Sequence, residues 1–517
     1  NRATCDETWG LLLPFGTVPW ERKIESALSL AGIQLVRVGG LQDANGMKGL
    51  LCLWDLDAET LFQARNLTSK ALLQLQTAVR SRFTRPLVWV TRCAVGVEAG
   101  AGAGPTGLGA APLWGLMRTA RSEHPDLRLR LIDLCDDPQG SGIISALMLD
   151  NEAECAVRRG QVLVPRIHRV AESVRSPPKQ RLVRSDGAVL ITGGLGDIGS
   201  RIARWLATCH GVTDVVLTSR HGKQAPGADS LVAELARLGA KATVVAGDIS
   251  DLNSVKSIMA NFTEKRPLRG VVHAAGVLDS GVISTLTQQQ FEATCGPKVH
   301  GAWNLHQVTR NMNLDIFVML SSISGVLGMP GLANYAAANT FLDALAYLRH
   351  AQHLPATSVA YGTWDSQGMV ASLAKTTRTH LIQFGLDFLN PEDGLKGLER
   401  AVRSGRPLTI AAALDLGRLQ QYYGQNGGIP PLLGPLLHQH SAEERRTSSL
   451  RKTVASAPPE KRGVLVLRKV RQTVAQALGF EHPEQVGVTE PLQGIGIDSL
   501  TAVLIRNHLS SLTGLVL

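Results

Sequence analysis

From residue 187 onward the chain alternates short β-rich runs with amphipathic stretches: AVLITGG, SRIARWLATCHG, DVVLTSR, SLVAELARLGA, ATVVAGD, GVVHAAG, DIFVMLSS and TSVAYGTW. That alternation predicts βαβ units and a doubly wound parallel sheet. Residues 1–165 carry a fainter version, in GLLLPFG, KIESALSLAGI, QLVRVGG, GLLCLWDLD, ALLQLQTAVRSR, PLVWVTRCAVGV and LRLRLIDL. Two Rossmann-like halves are expected. They align at one place, where GLGAAPLWG (107–115) falls beside GLANYAAAN (331–339), so that Ala111 stands opposite Tyr335 and Gly115 opposite Asn339. The first half also has LLLPFG where the second has ITGGLG, and so lacks the glycines that let a backbone approach phosphate. It reads as a structural copy without chemistry.

A length of 517 residues with 44% apolar content accommodates two to four domains with buried cores. The formal charge of +10 invites a nucleic-acid reading, but aromatics are only 4% and no basic helix carries interleaved stacking residues. Much of the basic charge sits in expected linkers at 168–184 and 445–462, whereas 481–517 has Glu481, Glu484, Glu490 and Asp498 against Arg506 alone. This acidic tail piece is expected to dock on the basic body by charge. The cysteines at 5, 52, 93, 135, 155, 209 and 295 are scattered and odd in number, without a C-x-x-C pair, so neither a disulfide framework nor a metal site is expected. A reducing cytoplasm suits them. No apolar run is long enough for a membrane span and no signal peptide opens the sequence, so no membrane association is expected. The first residue, Asn1, suggests a piece of something larger.

ITGGLGDIGS (191–200) places Gly194, Gly196 and Gly199 in a G-x-G-x-x-G turn between a strand and a helix. In that setting the turn, with Thr192, Gly193, Leu195 and Ile198, is a candidate dinucleotide cradle that sets pyrophosphate against a helix N-terminus. Asp197 is expected to face solvent and help cap that helix, since pointing inward it would repel phosphate. The next strand ends in Ser219 and Arg220, which suit a 2′-phosphate better than a ribose hydroxyl and favour NADPH. Asp248 and Ile249, then His273, Ala274, Ala275 and Gly276, end later strands, where ligands gather in open α/β sheets.

Ser322 ends the run FVMLSS, and Tyr335 opens a helix-like run thirteen residues later with Asn339 one turn on. Here the chain resembles the short-chain dehydrogenase/reductases, whose usual Lys four residues after Tyr is replaced by Asn. Lys298, in GPKVHGAWNL, stands 24 residues before Ser322 instead. That exchange resembles the ketoreductase domains of modular polyketide synthases. The likeness extends to TGGLGDIG, VHAAGVLD, SSISGVLGMPGLANYAAANTFLDALAYLR, LPATSVAYGTWDSQGM and, in the first half, LWGLMRTARSEHP. It implies that Tyr335 is the proton donor, Ser322 orients the carbonyl, Lys298 lowers the tyrosine pKa and binds nicotinamide ribose, and Asn339 holds Lys298 and a relay water.

The family's ketoreductase is commonly followed by an acyl carrier domain, and GIDSL (496–500) resembles its attachment motif, with Ser499 carrying 4′-phosphopantetheine. Asp498 and Ser499 also read as a cap for the following helix. A first carrier helix is expected at 463–479, and the sequence stops at Leu517 before the last carrier helices. The expected organisation is a structural subdomain at 1–180, a catalytic subdomain at 181–435, a linker at 436–462 and a partial carrier at 463–517. The implied partners are the substrate-bearing carrier and other synthase domains of the same larger chain. A fatty acid synthase reductase is the nearest alternative; an epimerase and an inactive scaffold fit less well. Stereochemical markers are mixed. Leu278, Asp279 and Ser280 replace an L-D-D motif, and Leu327 replaces the opposing tryptophan, while Pro330 and Asn334 favour the B-type, D-alcohol class.

Overall fold

The computed structural model describes residues 7–16, 18–54, 61–97, 104–135, 140–170, 181–365, 375–425, 428–437, 450–480, 482–489 and 491–517. Most of the first linker, the start of the second, Glu481, Glu490 and the end of TSVAYGTWDSQGM lie outside these residues.

Two seven-stranded sheets form the body. The first runs Ile33–Arg37, Glu7–Leu12, Leu50–Trp54, Leu87–Arg92, Leu129–Cys135, Glu154–Arg158 and Gln161–Leu163, parallel except for the last pair. The second runs Lys241–Ala246, Asp214–Ser219, Ala188–Thr192, Leu268–His273, Ile316–Ser322, Thr357–Tyr361 and Leu408–Ala411, parallel throughout. Central strands such as Leu50–Trp54 and Ala188–Thr192 are buried at every position, because helices cover both faces. This is the expected pair of Rossmann-like subdomains, followed by a helical segment with Leu450–Ser456, Pro459–Leu478 and Ser499–Thr513.

The aligned stretches form two helices, Pro112–Glu123 and Ala333–Ala351, which pack on each other across the subdomain boundary. Gly115 lies at the crossing, where an added Cβ would come within 2.3 Å of the Ala336 carbonyl.

Four expectations need correction. Cys93 and Cys135 form a disulfide, with Cα atoms 4.9 Å apart although 42 residues separate them. Their strands are neighbours, with Arg92 paired to Leu134, so sheet register rather than sequence spacing brings the thiols together. Asp197 does not cap its helix. Gly196 is the N-cap, and the Asp197 carboxylate is only 19% exposed and pairs one turn on with Arg201 at 3.0 Å. The first carrier helix begins at Pro459 rather than 463, within the segment read as linker, because proline is pre-set for a first helical position. The C-terminal segment does meet the body, but its charged contact is made by its one Lys or Arg, Arg506, beside Asn507 and Leu500, while Asp498 caps Ser499–Thr513 by accepting from Thr501 N at 2.7 Å.

Candidate active site

The glycine turn follows the strand Ala188–Thr192. Gly193 sits at φ +65°, where an added Cβ would be 2.9 Å from the Ala275 backbone, and a Cβ on Gly199 would be 2.3 Å from the Gly193 carbonyl. A Cβ on Gly194 would lie 2.8 Å from Ile191 O, so all three glycines are required by close packing of strand, turn and helix. Helix Asp197–His210 starts without a side-chain cap, leaving first-turn N–H groups directed at the turn, the arrangement that accepts a phosphate. Leu195 and Ile198 pack, half-buried, under it. Thr192 is fully buried, and its hydroxyl bonds His273 Nδ1 at 2.8 Å and accepts from Ala275 N at 3.4 Å.

The adjacent strand end supplies Ser219, whose Oγ accepts from Gly222 N at 3.0 Å and shapes the turn, and Arg220, which is exposed. Asp248 is exposed and accepts from Ser250, while Ile249 is buried and its carbonyl accepts from Asn304 Nδ2 at 3.1 Å. Ala274 N donates to Thr192 O, and the Gly276 α-carbon faces the Lys298 stem, where a Cβ would be 3.0 Å from Cε. The nucleotide-side residues thus converge at the carboxyl ends of the second sheet's strands.

The other end of that crevice holds the four polar candidates. Ser322 closes its strand, and its Oγ accepts from the Ser324 N–H at 3.2 Å and the Ser324 hydroxyl at 3.0 Å. Lys298 lies in a π-helical turn, Gly296–His300, a local widening often found at functional sites. Its Nζ donates to Asn339 Oδ1 at 2.9 Å and Leu320 O at 2.8 Å, and lies 5.0 Å from the Tyr335 ring centroid. Asn339 Nδ2 donates in turn to Tyr335 O at 2.8 Å. Spacing of four residues on one helix therefore ties the Lys298–Asn339 pair to the Tyr335 main-chain carbonyl, with Ser322 at the end of the neighbouring strand.

Residues 187–366 match the KR domain family, 24–167 the Rossmann fold domain of polyketide synthase extender module SpnB, and 468–517 the phosphopantetheine attachment site family. A solved structure of A-type ketoreductases from a modular polyketide synthase superposes with a TM-score of 0.74 at 30% identity, covering 84% of this chain and 95% of that one. This chain belongs to the modular polyketide synthase ketoreductases. A C2-type ketoreductase superposes with a TM-score of 0.72 at 27% identity, over 83% of this chain and 97% of that one. The PKS-NRPS hybrid synthetase acdB of Aspergillus candidus is 46% identical over 98% of the ketoreductase chain, which spans 20% of that protein's length. Spectinabilin polyketide synthase system protein NorA′ of Streptomyces orinoci is 38% identical over 87% of the chain and 12% of its own length. Ketoreductases of this kind bind NADPH, and the C-terminal match implies 4′-phosphopantetheine.

Burial dominates the electrostatics of the ketoreductase site. It pushes Lys298 down to about 7, with Asp343 pulling the other way. It raises the Tyr335 hydroxyl above its ordinary value, opposed by a side-chain hydrogen bond with Asn339. A lysine near 7 is about half charged at neutral pH. His273 is pushed down to about 3, first by burial and then by Lys298, and so stays neutral.

Sequence reasoning missed Asp343, which burial raises to about 6 and which accepts from Ser358 Oγ at 2.6 Å. Its signal was an acid inside the apolar run TFLDALAY. It also missed Arg118, Ser122 and Glu123 of the first subdomain. Arg118 Nη1 donates to Gly325 O at 2.7 Å, Ser122 Oγ to Gly328 O at 2.6 Å, and Glu123 Oε1 accepts from Gly331 N at 2.8 Å. All three hold the segment that runs from Ser322 to Tyr335. Asn334, before the tyrosine, is buried and donates to Asp279 O at 2.7 Å, which ties the two stereochemical marker segments together.

Proposed function

We propose that the chain reduces a carrier-tethered β-ketoacyl thioester to the β-hydroxyacyl thioester with NADPH, through Tyr335, Ser322, Lys298 and Asn339. When bound, NADPH would supply the hydride to the β-carbon. Tyr335 gives its hydroxyl proton to the carbonyl oxygen, which Ser322 holds by hydrogen bonding. Lys298 offsets the charge left on the tyrosinate, and Asn339 fixes the amine where it does so. The observation that carries this reading is the buried Lys298 amine, which donates to Asn339 Oδ1 and lies 5.0 Å from the Tyr335 ring centroid, while Asn339 is tied to the Tyr335 main-chain carbonyl one turn earlier.

In this reading Thr192 to Gly196, Ile198 and Gly199 hold the pyrophosphate, and Ser219 with Arg220 holds the 2′-phosphate. Asp248 and Ile249 flank the adenine side, and His273 to Gly276 flank the nicotinamide side. Residues 1–180 buttress, 181–435 catalyse, 436–458 connect, and 459–517 carry the arm on Ser499, with the other synthase domains as partners in the whole protein. The product is assigned as the D-alcohol of B-type enzymes, on Pro330 and Asn334. Solved A-type and C2-type neighbours share the fold, so the assignment rests on those two residues alone.

The test is reduction of a β-ketoacyl thioester with NADPH, followed by chiral chromatography. Tyr335→Phe keeps the ring and deletes the proton donor, with an expected rate loss of about 10² to 10⁴. A variant within about threefold of the unmodified enzyme overturns the role of Tyr335. A predominant L-alcohol overturns the B-type assignment.

A further inference from the structure

The last turn of helix Pro112–Glu123 leaves backbone carbonyls that the helix itself cannot satisfy. Two of them are met by the carrier segment. Arg506 Nη2 donates to Glu123 O and lies 3.3 Å from His124 Nδ1, and Asn507 Nδ2 donates to Ser122 O at 3.1 Å and Glu123 O at 3.0 Å. A cation on the carbonyl end of a helix is also favoured by the helix dipole. Arg506 is the sole Lys or Arg between 481 and 517, so the contact uses the segment's one positive charge.

The same helix turn reaches the active site from its other side. The Glu123 carboxylate accepts from Gly331 N at 2.8 Å and from Ile283 N at 2.7 Å, and Gly281 N donates to Gly331 O at 2.9 Å. Gly331 precedes Tyr335 by four residues. Leu500, next to Ser499, packs on this turn, close enough that a Cβ on Gly331 would lie 3.3 Å from its Cδ1. Ser499 itself is exposed at the start of its helix.

We propose that the carbonyl end of helix Pro112–Glu123, together with the Gly331 turn, is the docking face for the acyl carrier, gripped by Arg506 and Asn507 so that the arm on Ser499 enters over Gly331. The proposal rests on the reading of Ser499 as the attachment site and of the chain as a ketoreductase. It adds that the non-catalytic subdomain supplies part of the carrier's docking face, through main-chain atoms.

The experiment uses the full-length synthase chain with its carrier loaded with a β-ketoacyl group, in parallel with a free thioester of the same acid. Replacing Arg506 and Asn507 together by alanine is expected to slow reduction of the tethered substrate about tenfold, the loss of a charge-assisted contact. Reduction of the free thioester and phosphopantetheine loading, read by mass spectrometry, stay within about twofold. Arg506→Glu sets an anion against the helix carbonyls and is expected to cost more than Arg506→Ala. An unchanged tethered rate overturns the docking face, and an equal loss on both substrates assigns these residues to the reductase fold and overturns it too. An unmodified chain that reduces neither substrate overturns the ketoreductase reading instead.

Discussion

Replacing Lys298 by methionine is expected to abolish reduction and, below neutral pH, to make the protein more stable. Burial moves the amine from its ordinary 10.5 to about 7. At about 1.4 kcal/mol per tenfold change in proton affinity, holding it protonated costs the fold about 5 kcal/mol. The unfolded chain keeps this proton up to 10.5, so between the folded and unfolded values it binds more protons and stability rises with pH. The cost is fully present below about 7 and has fallen to about 1 kcal/mol by pH 9.5. Methionine keeps most of the stem, removes the charge and forfeits two hydrogen bonds, to Leu320 O and Asn339 Oδ1. Those are worth about 1 kcal/mol each. The balance is a gain of about 3 kcal/mol at pH 6 and a loss of about 1 kcal/mol at pH 9.5. Urea unfolding of both proteins at the two pH values, followed by tryptophan fluorescence without nucleotide, measures it. A variant destabilised at pH 6, or equally affected at both values, would refute the reasoning.

Arg220→Ala is expected to raise KM for NADPH at least tenfold and leave that for NADH nearly unchanged, since only NADPH has the 2′-phosphate. Equal losses would assign Arg220 to the fold. In the full-length protein, a phosphopantetheinyl transferase with coenzyme A should add one prosthetic group, and Ser499→Ala should abolish the mass increase; labelling that persists places the arm elsewhere. Gly115→Ala puts a methyl 2.3 Å from the Ala336 carbonyl and should cost about 1–3 kcal/mol. A melting temperature within a degree of the unmodified protein would show that the two helices separate easily.

Much of this was legible because it is local. The βαβ alternation, the glycine turn and the Tyr335–Asn339 spacing all follow from periods of a few residues, and the packing around Gly193 and Gly199 answers directly to the motif. Lys298 was reached only through family resemblance, since nothing in its own surroundings marks it as the partner of a residue 41 positions on. The Cys93–Cys135 pair was missed for a similar reason, because it depends on which strands become neighbours. Asp197 was placed by what a carboxylate would do to phosphate, without weighing Arg201 one turn away, and the nearer charge decided its direction. The raised Tyr335 pKa escaped because burial cannot be weighed against charge until the depth of both groups is fixed.

The first subdomain also shapes the second. Where the catalytic helix has Asn339, its counterpart has Gly115, and that loss of a side chain is what allows the two helix backbones to meet at the Ala336 carbonyl. An asparagine there would force the helices apart. Close approach in turn brings Arg118, Ser122 and Glu123 within reach of Gly325 O, Gly328 O and Gly331 N, three backbone groups of the segment joining Ser322 to Tyr335. Gly328 takes φ +70°, with the Arg118 backbone 2.3 Å from where a Cβ would sit, so the segment is shaped against this helix. The path of the chain between Ser322 and Tyr335 is thus braced by residues of the other half.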